Sequence, residues 1–179
     1  MLSDYLSGES DLLSVGVVGA GHIARLYHLP ILANVDAVET AFIADLEESK
    51  ARQLATTYGG RPIATGNAAD LPDCDIALLA VPVGVREEYV ETLGKRGTSV
   101  FSEKPFAMTA TRHERLDSLV DDVACNYMRL NFQSTRQLKH LVESRLLGDL
   151  ERVVVEEGGI VGATGKGGGH YQTDPSLSG

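Results

Sequence analysis

Cysteine, lysine and long apolar runs are all scarce in this chain of 179 residues. The two cysteines, Cys74 and Cys125, make neither a disulfide framework nor a metal site. No apolar run approaches the ~20 residues that a bilayer-spanning helix needs. The first residues, MLSDYLSGESDLLS, are acidic and polar, whereas a secretory leader is basic and then apolar. Cytoplasm is therefore the default location. A basic excess is missing too, since 25 acidic residues against 16 basic ones leave a formal charge of −9. Such a surface argues against nucleic acid, whose binding needs basic patches to replace phosphate counterions. Only five of the basic residues are lysine, at positions 50, 95, 104, 139 and 166. Acid excess with few lysines fits two readings, adaptation to high salt or an ordinary acidic cytosolic enzyme. No His, Cys and carboxylate spacing indicates a metal site, and no Gly-x-Ser-x-Gly elbow supports a serine nucleophile.

What is present is a repeated alternation of strand and helix. The 43% of hydrophobic residues can supply a core, and the length suits one domain with part of a second. Residues 1–13 read as a lead-in. Strands are predicted over 15–18, 37–44, 61–65, 76–81, 99–102 and 123–127. Helices are predicted over 22–33, where Pro30 kinks or shortens the run, and over 46–58, 86–93 and 109–120, the last capped by Thr109. A polar connection over 66–73 holds a short helical turn. Short links between alternating elements imply an α/β fold, a doubly wound and mostly parallel sheet with helices on both faces. After Tyr127 the pattern changes to a helix over 134–147, a strand over 150–157 and a glycine-rich stretch over 158–169. A boundary within 124–132 divides the chain into 1–125 and 126–179, and the second unit reads as cut short, because one helix and one strand cannot bury a core.

Three places carry chemistry. The first is Val15-Gly16-Val17-Val18-Gly19-Ala20-Gly21-His22-Ile23-Ala24, an apolar strand that ends in a glycine turn and opens a helix. Gly19 lets the chain turn sharply, Gly21 lets the backbone approach a pyrophosphate, and Ala24 lets helix and strand pack closely. Free N–H groups of the first helical turn then face the anion. The second is Asp45 at the end of the second strand, placed to accept hydrogen bonds from the ribose of NAD and to repel the extra phosphate of NADP. Leu46 beside it offers no compensating cation. A carboxylate capping the next helix is the alternative for Asp45. The third is Glu103-Lys104-Pro105, at the carboxyl end of a parallel strand where open α/β sheets bind ligands. A lysine there can contact a nicotinamide ribose or a substrate hydroxyl and help move a proton. On charge pattern alone, a Glu-Lys pair is more often a solvated surface.

The glycine turn, Asp45, Pro82 and Glu103-Lys104-Pro105, in this order, resemble the glucose–fructose oxidoreductase, inositol dehydrogenase and MocA family (Gfo/Idh/MocA). The likeness continues through Lys139 and Leu146-Leu147-Gly148-Asp149-Leu150, from about Val15 onward. It implies an N-terminal Rossmann domain holding NAD, or else NADP, and a C-terminal α/β domain that completes the active site. Lys104 is then the catalytic lysine. Gly19, Gly21, Ala24, Asp45 and Pro82 become cofactor residues, with His22 and Ile23 supplying backbone N–H groups. Glu103 orients the loop, and Lys104-Pro105 is a candidate cis peptide. The implied reaction is hydride transfer between nicotinamide and a sugar, polyol or related hydroxyl or carbonyl substrate.

Three departures stand out. Arg86 occupies a position, four after Pro82, where relatives usually carry histidine. Arg129-Leu130-Asn131-Phe132 replaces an Arg-Arg-Phe sequence. The ending Asp174-Pro175-Ser176-Leu177-Ser178-Gly179 resembles the approach to a segment that in relatives leads into a catalytic Asp and His, so the resemblance implies C-terminal truncation. His170 reads as a loop histidine, and His22, His28, His113 and His140 as helix residues. Relatives commonly form homo-oligomers through the second domain's open sheet, most of which this sequence lacks. A nucleotide-binding fragment without turnover and a dinucleotide-sensing module share the same features and remain alternatives.

Overall fold

Strict alternation along β-branched strands sorts this chain's apolar residues into two layers. A computed structural model describes residues 12–156. Its six strands are β1 (Leu13–Val18), β2 (Val38–Asp45), β3 (Arg61–Ala64), β4 (Ile76–Leu79), β5 (Ser99–Ser102) and β6 (Val123–Cys125). They form one sheet in the order β3-β2-β1-β4-β5-β6, and every pairing is parallel. This is the doubly wound order, in which the chain reverses direction across the sheet between β1 and β4. Val17, Ile43 and Leu78 point to one face, where they pack with Ala24, Leu29, Ala51 and Leu54. Val18, Phe42, Ala44 and Leu79 point to the other, against Tyr89, Val90, Leu93, Phe106 and Leu116.

The first face is covered by α1 (Leu29–Leu32) and α2 (Glu48–Tyr58), the second by α3 (Val83–Gly94) and α4 (Ala110–Asp117). α1 is entered through a π-helical turn, Ala24–His28, closed by Leu29 N–H bonding back to Ala24 O. Pro30 brings no N–H of its own, and a π turn just upstream shifts the hydrogen-bond ladder around it. α2 ends at Gly59, whose φ of 80° is open to glycine. Thr109 Oγ1 accepts from Arg112 N and caps α4 as its sequence predicts. A 3-10 turn, Ala68–Asp70, lies in the polar connection and is capped by Asn67.

Several boundaries differ from the sequence reading. α3 starts at Val83, three residues early, because Pro82 has the fixed φ of a residue preceding a first turn. β6 stops at Cys125, and a 3-10 turn, Met128–Asn131, follows. α5 (Gln133–Glu143) ends before the predicted 147, with Arg145 at a φ of 51°. It buries no residue, and Leu138 and Val142 are exposed. The predicted strand over 150–157 is not formed at residues 150–156. Val153-Val154-Val155 has strand propensity, but a strand exists only through pairing, and these valines are exposed. Residues 1–11, Glu157, the glycine-rich stretch, His170 and the ending lie outside the described residues.

Candidate functional site

The carboxyl ends of β1, β2, β4 and β5 meet at one edge of the sheet, at the point where the winding reverses. Gly19 follows β1 with a φ of 100°, and a Cβ there would lie 2.6 Å from the carbonyl oxygen of Ala80. Only glycine satisfies both conditions. Gly19 N donates to Ala44 O at 2.8 Å, and Ala80 N donates to Val18 O at 2.8 Å, so the turn is pinned from β2 and β4. Gly21 is different, since a Cβ there would meet nothing within 4 Å. Its missing side chain leaves open space over the helix start, where the first N–H groups have no partner in their own helix. His22 is exposed, Ile23 half-buried and Ala24 fully buried against the sheet.

Asp45 stands at the last position of β2. Its Oδ2 accepts from Ala20 N at 2.8 Å and its Oδ1 from Glu47 N at 2.9 Å. The carboxylate thus holds the glycine turn from outside and opens α2 through an Asx-type turn. Each oxygen keeps a further lone pair for a ligand. Glu47 and Glu48 follow, and the Lys50 ammonium is drawn to Glu47 Oε1 at 2.5 Å. Hydrogen bonding to Glu47 raises the Lys50 pKa against a small desolvation.

Glu103, Lys104 and Pro105 follow β5, and the Lys104-Pro105 peptide is cis. Glu103 is 9% exposed. Its Oε1 faces His28 Nε2 at 2.9 Å and accepts from Asn126 Nδ2 at 2.8 Å, while Oε2 accepts from Lys104 N at 3.2 Å. Burial by itself would raise the Glu103 carboxyl. The hydrogen bonds from His28 and Asn126, the His28 charge and the Lys104 N–H outweigh it and hold the group below its ordinary value. Lys104 and Pro105 are exposed, and the Lys104 ammonium makes no ion pair among the described residues. Half-buried Cys125 lies beside this loop with Sγ 3.7 Å from Glu103 O, and burial pushes its thiol up, away from the reactive thiolate.

Strand-end spacing points to Gly19, Gly21, Ala24 and Asp45, the family resemblance adds Pro82 and Lys104, and the structure brings these positions to one edge. Three further residues that the sequence pattern does not single out support the loop. His28 is a helix residue by sequence. It is buried, meets Phe101 edge-on with ring centroids 6.0 Å apart, and also contacts Glu103. Asn126 donates to the same carboxylate. Arg86 is 2% exposed, and its guanidinium donates to the carbonyl oxygens of Val81, Glu103 and Pro105. A cation in the first turn of the helix that follows Val81-Pro82 was the available signal, because that turn packs beneath the strand ends.

Among the described residues no helix is long and apolar enough to cross a membrane, and no group of three His, Cys, Asp or Glu side chains could hold a metal ion. Residues 13–129 match the model of the Gfo/Idh/MocA oxidoreductases, described as an oxidoreductase family with an NAD-binding Rossmann fold. A dTDP-3,4-didehydro-2,6-dideoxy-alpha-D-glucose 3-reductase of Streptomyces violaceoruber is 27% identical over 143 residues, 77% of this chain and 42% of that protein. An inositol 2-dehydrogenase of Rhodococcus jostii is 28% identical over 159 residues, 81% of this chain and 41% of that protein. Among solved structures, the 3-ketoreductase KijD10 from Actinomadura kijaniata in complex with NADP superposes with a TM-score of 0.68 at 24% identity, over 77% of this chain and 46% of that one. Myo-inositol dehydrogenase from Lactobacillus casei, in complex with NAD(H) and myo-inositol, gives 0.68 at 22% identity, over 77% and 43%. These likenesses show the fold, and the chain spans less than half the length of each relative.

Proposed function

The chain belongs to the Gfo/Idh/MocA oxidoreductase family, and from that premise we propose that residues 1–125 form the nicotinamide-dinucleotide site of an enzyme acting on a sugar, polyol or related hydroxyl substrate. Residues 126–179 open the substrate domain in this reading. One observation carries it: the glycine turn, Asp45, Pro82 and Lys104 converge at the reversal point of a doubly wound sheet. The residues fit the group. Gly21 leaves open the space a pyrophosphate needs, and its Cβ would fill part of it. A nicotinamide dinucleotide held there by Gly19, Gly21 and Asp45 would supply hydride-transfer chemistry. Lys104 supplies a cation on the crevice edge that polarises the substrate oxygen and assists its proton. Glu103 holds the Lys104 N–H, and His28 and Asn126 hold Glu103.

The ribose end favours NAD over NADP. A 2′-phosphate would face the Asp45 carboxylate with Glu47 and Glu48 close by in sequence, and the Lys50 ammonium is already engaged by Glu47. Replacing Asp45 by asparagine should shift the ratio of NADH to NADPH affinity by at least about tenfold toward NADPH, since like unit charges about 4 Å apart repel by about 1 kcal/mol in water and about 4 kcal/mol near a protein surface. The amide can accept from only one of the two backbone N–H groups of Ala20 and Glu47, so stability should fall by about 1 kcal/mol. An unchanged ratio in parallel titrations would remove Asp45 from the ribose site.

Titration with NADH tests the reading as a whole. The chain contains no tryptophan, so nicotinamide fluorescence is read directly without an indole background. A saturable change at or below millimolar NADH is expected, with turnover on a panel of polyols and nucleotide sugars. Saturable binding without turnover would favour a nucleotide-binding module. A folded chain that leaves NADH fluorescence untouched at millimolar concentration would defeat the dinucleotide reading.

A further inference from the structure

A guanidinium buried beneath the crevice is tied to backbone on both of its walls. Arg86 Nη2 donates to Val81 O at 2.6 Å, at the end of β4. Its Nη1 donates to Glu103 O at 2.5 Å and also to Pro105 O, in the loop after β5. The last two carbonyls belong to the residues immediately before and after Lys104. The Glu103–Lys104 peptide unit is thereby held at both ends, its oxygen by Arg86 and its N–H by the Glu103 carboxylate at 3.2 Å. Only a planar fork of donors can span three carbonyls from two strands. An ammonium is a point charge on a flexible stem and cannot.

We propose that Arg86 is a positioning residue, whose guanidinium fixes the backbone on both sides of Lys104 and so sets the Lys104 ammonium at the nicotinamide end of the crevice. The inference rests on the reading of Lys104 as the crevice lysine. It assigns a role to the position at which this chain departs from the histidine usual among its relatives.

Competitive acylation of lysines, resolved by peptide mass spectrometry with and without saturating NADH, tests it. With only five lysines in the chain, Lys95 and Lys139, away from the proposed ribose site, serve as internal standards for Lys104. In the unaltered protein NADH should slow Lys104 acylation by about tenfold. In Arg86→Lys that protection should fall below about twofold, since a displacement of ~1 Å is enough to lose such a contact. NADH affinity should move by less than about threefold, and the standards should react as before. Arg86→Gln, which keeps a planar donor for one carbonyl, should lie between the two. Full protection of Lys104 in a folded Arg86→Lys protein would overturn the proposal, and so would failure of both variants to fold, which would make Arg86 a folding residue. NADH that binds the unaltered protein without protecting Lys104 would instead overturn the underlying reading of Lys104, and the proposal with it.

Discussion

Replacing Gly19 by alanine is expected to cost about 2–4 kcal/mol of folding stability and to abolish NADH binding. Two independent penalties combine. Gly19 has a φ of 100°, which an L side chain adopts only under strain. The new methyl would also lie 2.6 Å from Ala80 O, a backbone atom of β4 that cannot swing away. Relief requires the turn to separate from β4, which breaks the bond from Ala80 N to Val18 O and moves the helix start that faces the crevice. Gly21→Ala gives the matching contrast. Its Cβ meets nothing within 4 Å, so stability should change by less than about 0.5 kcal/mol, as for a free surface site, while NADH affinity collapses. Denaturant midpoints and NADH titrations of both variants check the pair. Equal stability for the Gly19 variant, or undiminished NADH affinity for Gly21→Ala, would contradict the assignment.

Glu103→Leu is expected to be comparably damaging, at about 2–4 kcal/mol, because it strands buried donors on His28 and Asn126. Glu103→Gln separates the charge from the shape. Burial opposes the Glu103 carboxylate, yet the hydrogen bonds from His28 and Asn126 win and leave its folded pKa below the ordinary value. A depressed carboxyl binds its proton more readily in the unfolded chain. The stability it contributes is therefore fully present above about pH 4.5. It is lost as the pH falls from there through the lower folded value. The unaltered protein should thus be more stable than Glu103→Gln at neutral pH, and the difference should shrink on acidification. Denaturation at a series of pH values measures this. A gap that stays constant or widens toward acid would show that the carboxylate charge stabilises nothing.

The parts of the site that depend on chain direction were legible in the sequence. Gly19, Asp45, Pro82 and Lys104 each sit at the end of a parallel strand, and strand ends can be read from apolar runs followed by turn residues. Because alternation makes the sheet parallel, all these strand ends lie along one edge; the strand order itself is read only from the structure. The bracing residues obey no such rule. His28 meets Glu103 across 75 positions, and Asn126 meets it across 23. Nothing in local composition reports a contact made only after the sheet assembles. Val153-Val154-Val155 failed in the opposite sense, since its propensity is local and genuine but a strand is a property of two segments. Pro30 falls in the first turn of α1, where its missing N–H costs least, and a π turn precedes it.

The central place of β1 also fixes when the crevice can come into being. β1 pairs with β2 and with β4, and Ser14 N and Oγ both donate to Asp75 Oδ2 across 61 positions of chain. Such non-local parallel pairing must close a long loop before it gains anything in return, which makes folding slow. A growing chain that has completed only β1, β2 and β3 holds the glycine turn without Ala80, the backbone it packs against. The turn takes its final form only after β4 docks, so dinucleotide recognition is among the last properties this domain acquires. A molecule that binds there stabilises the native state by mass action, so it acts only on chains in which that late contact has formed.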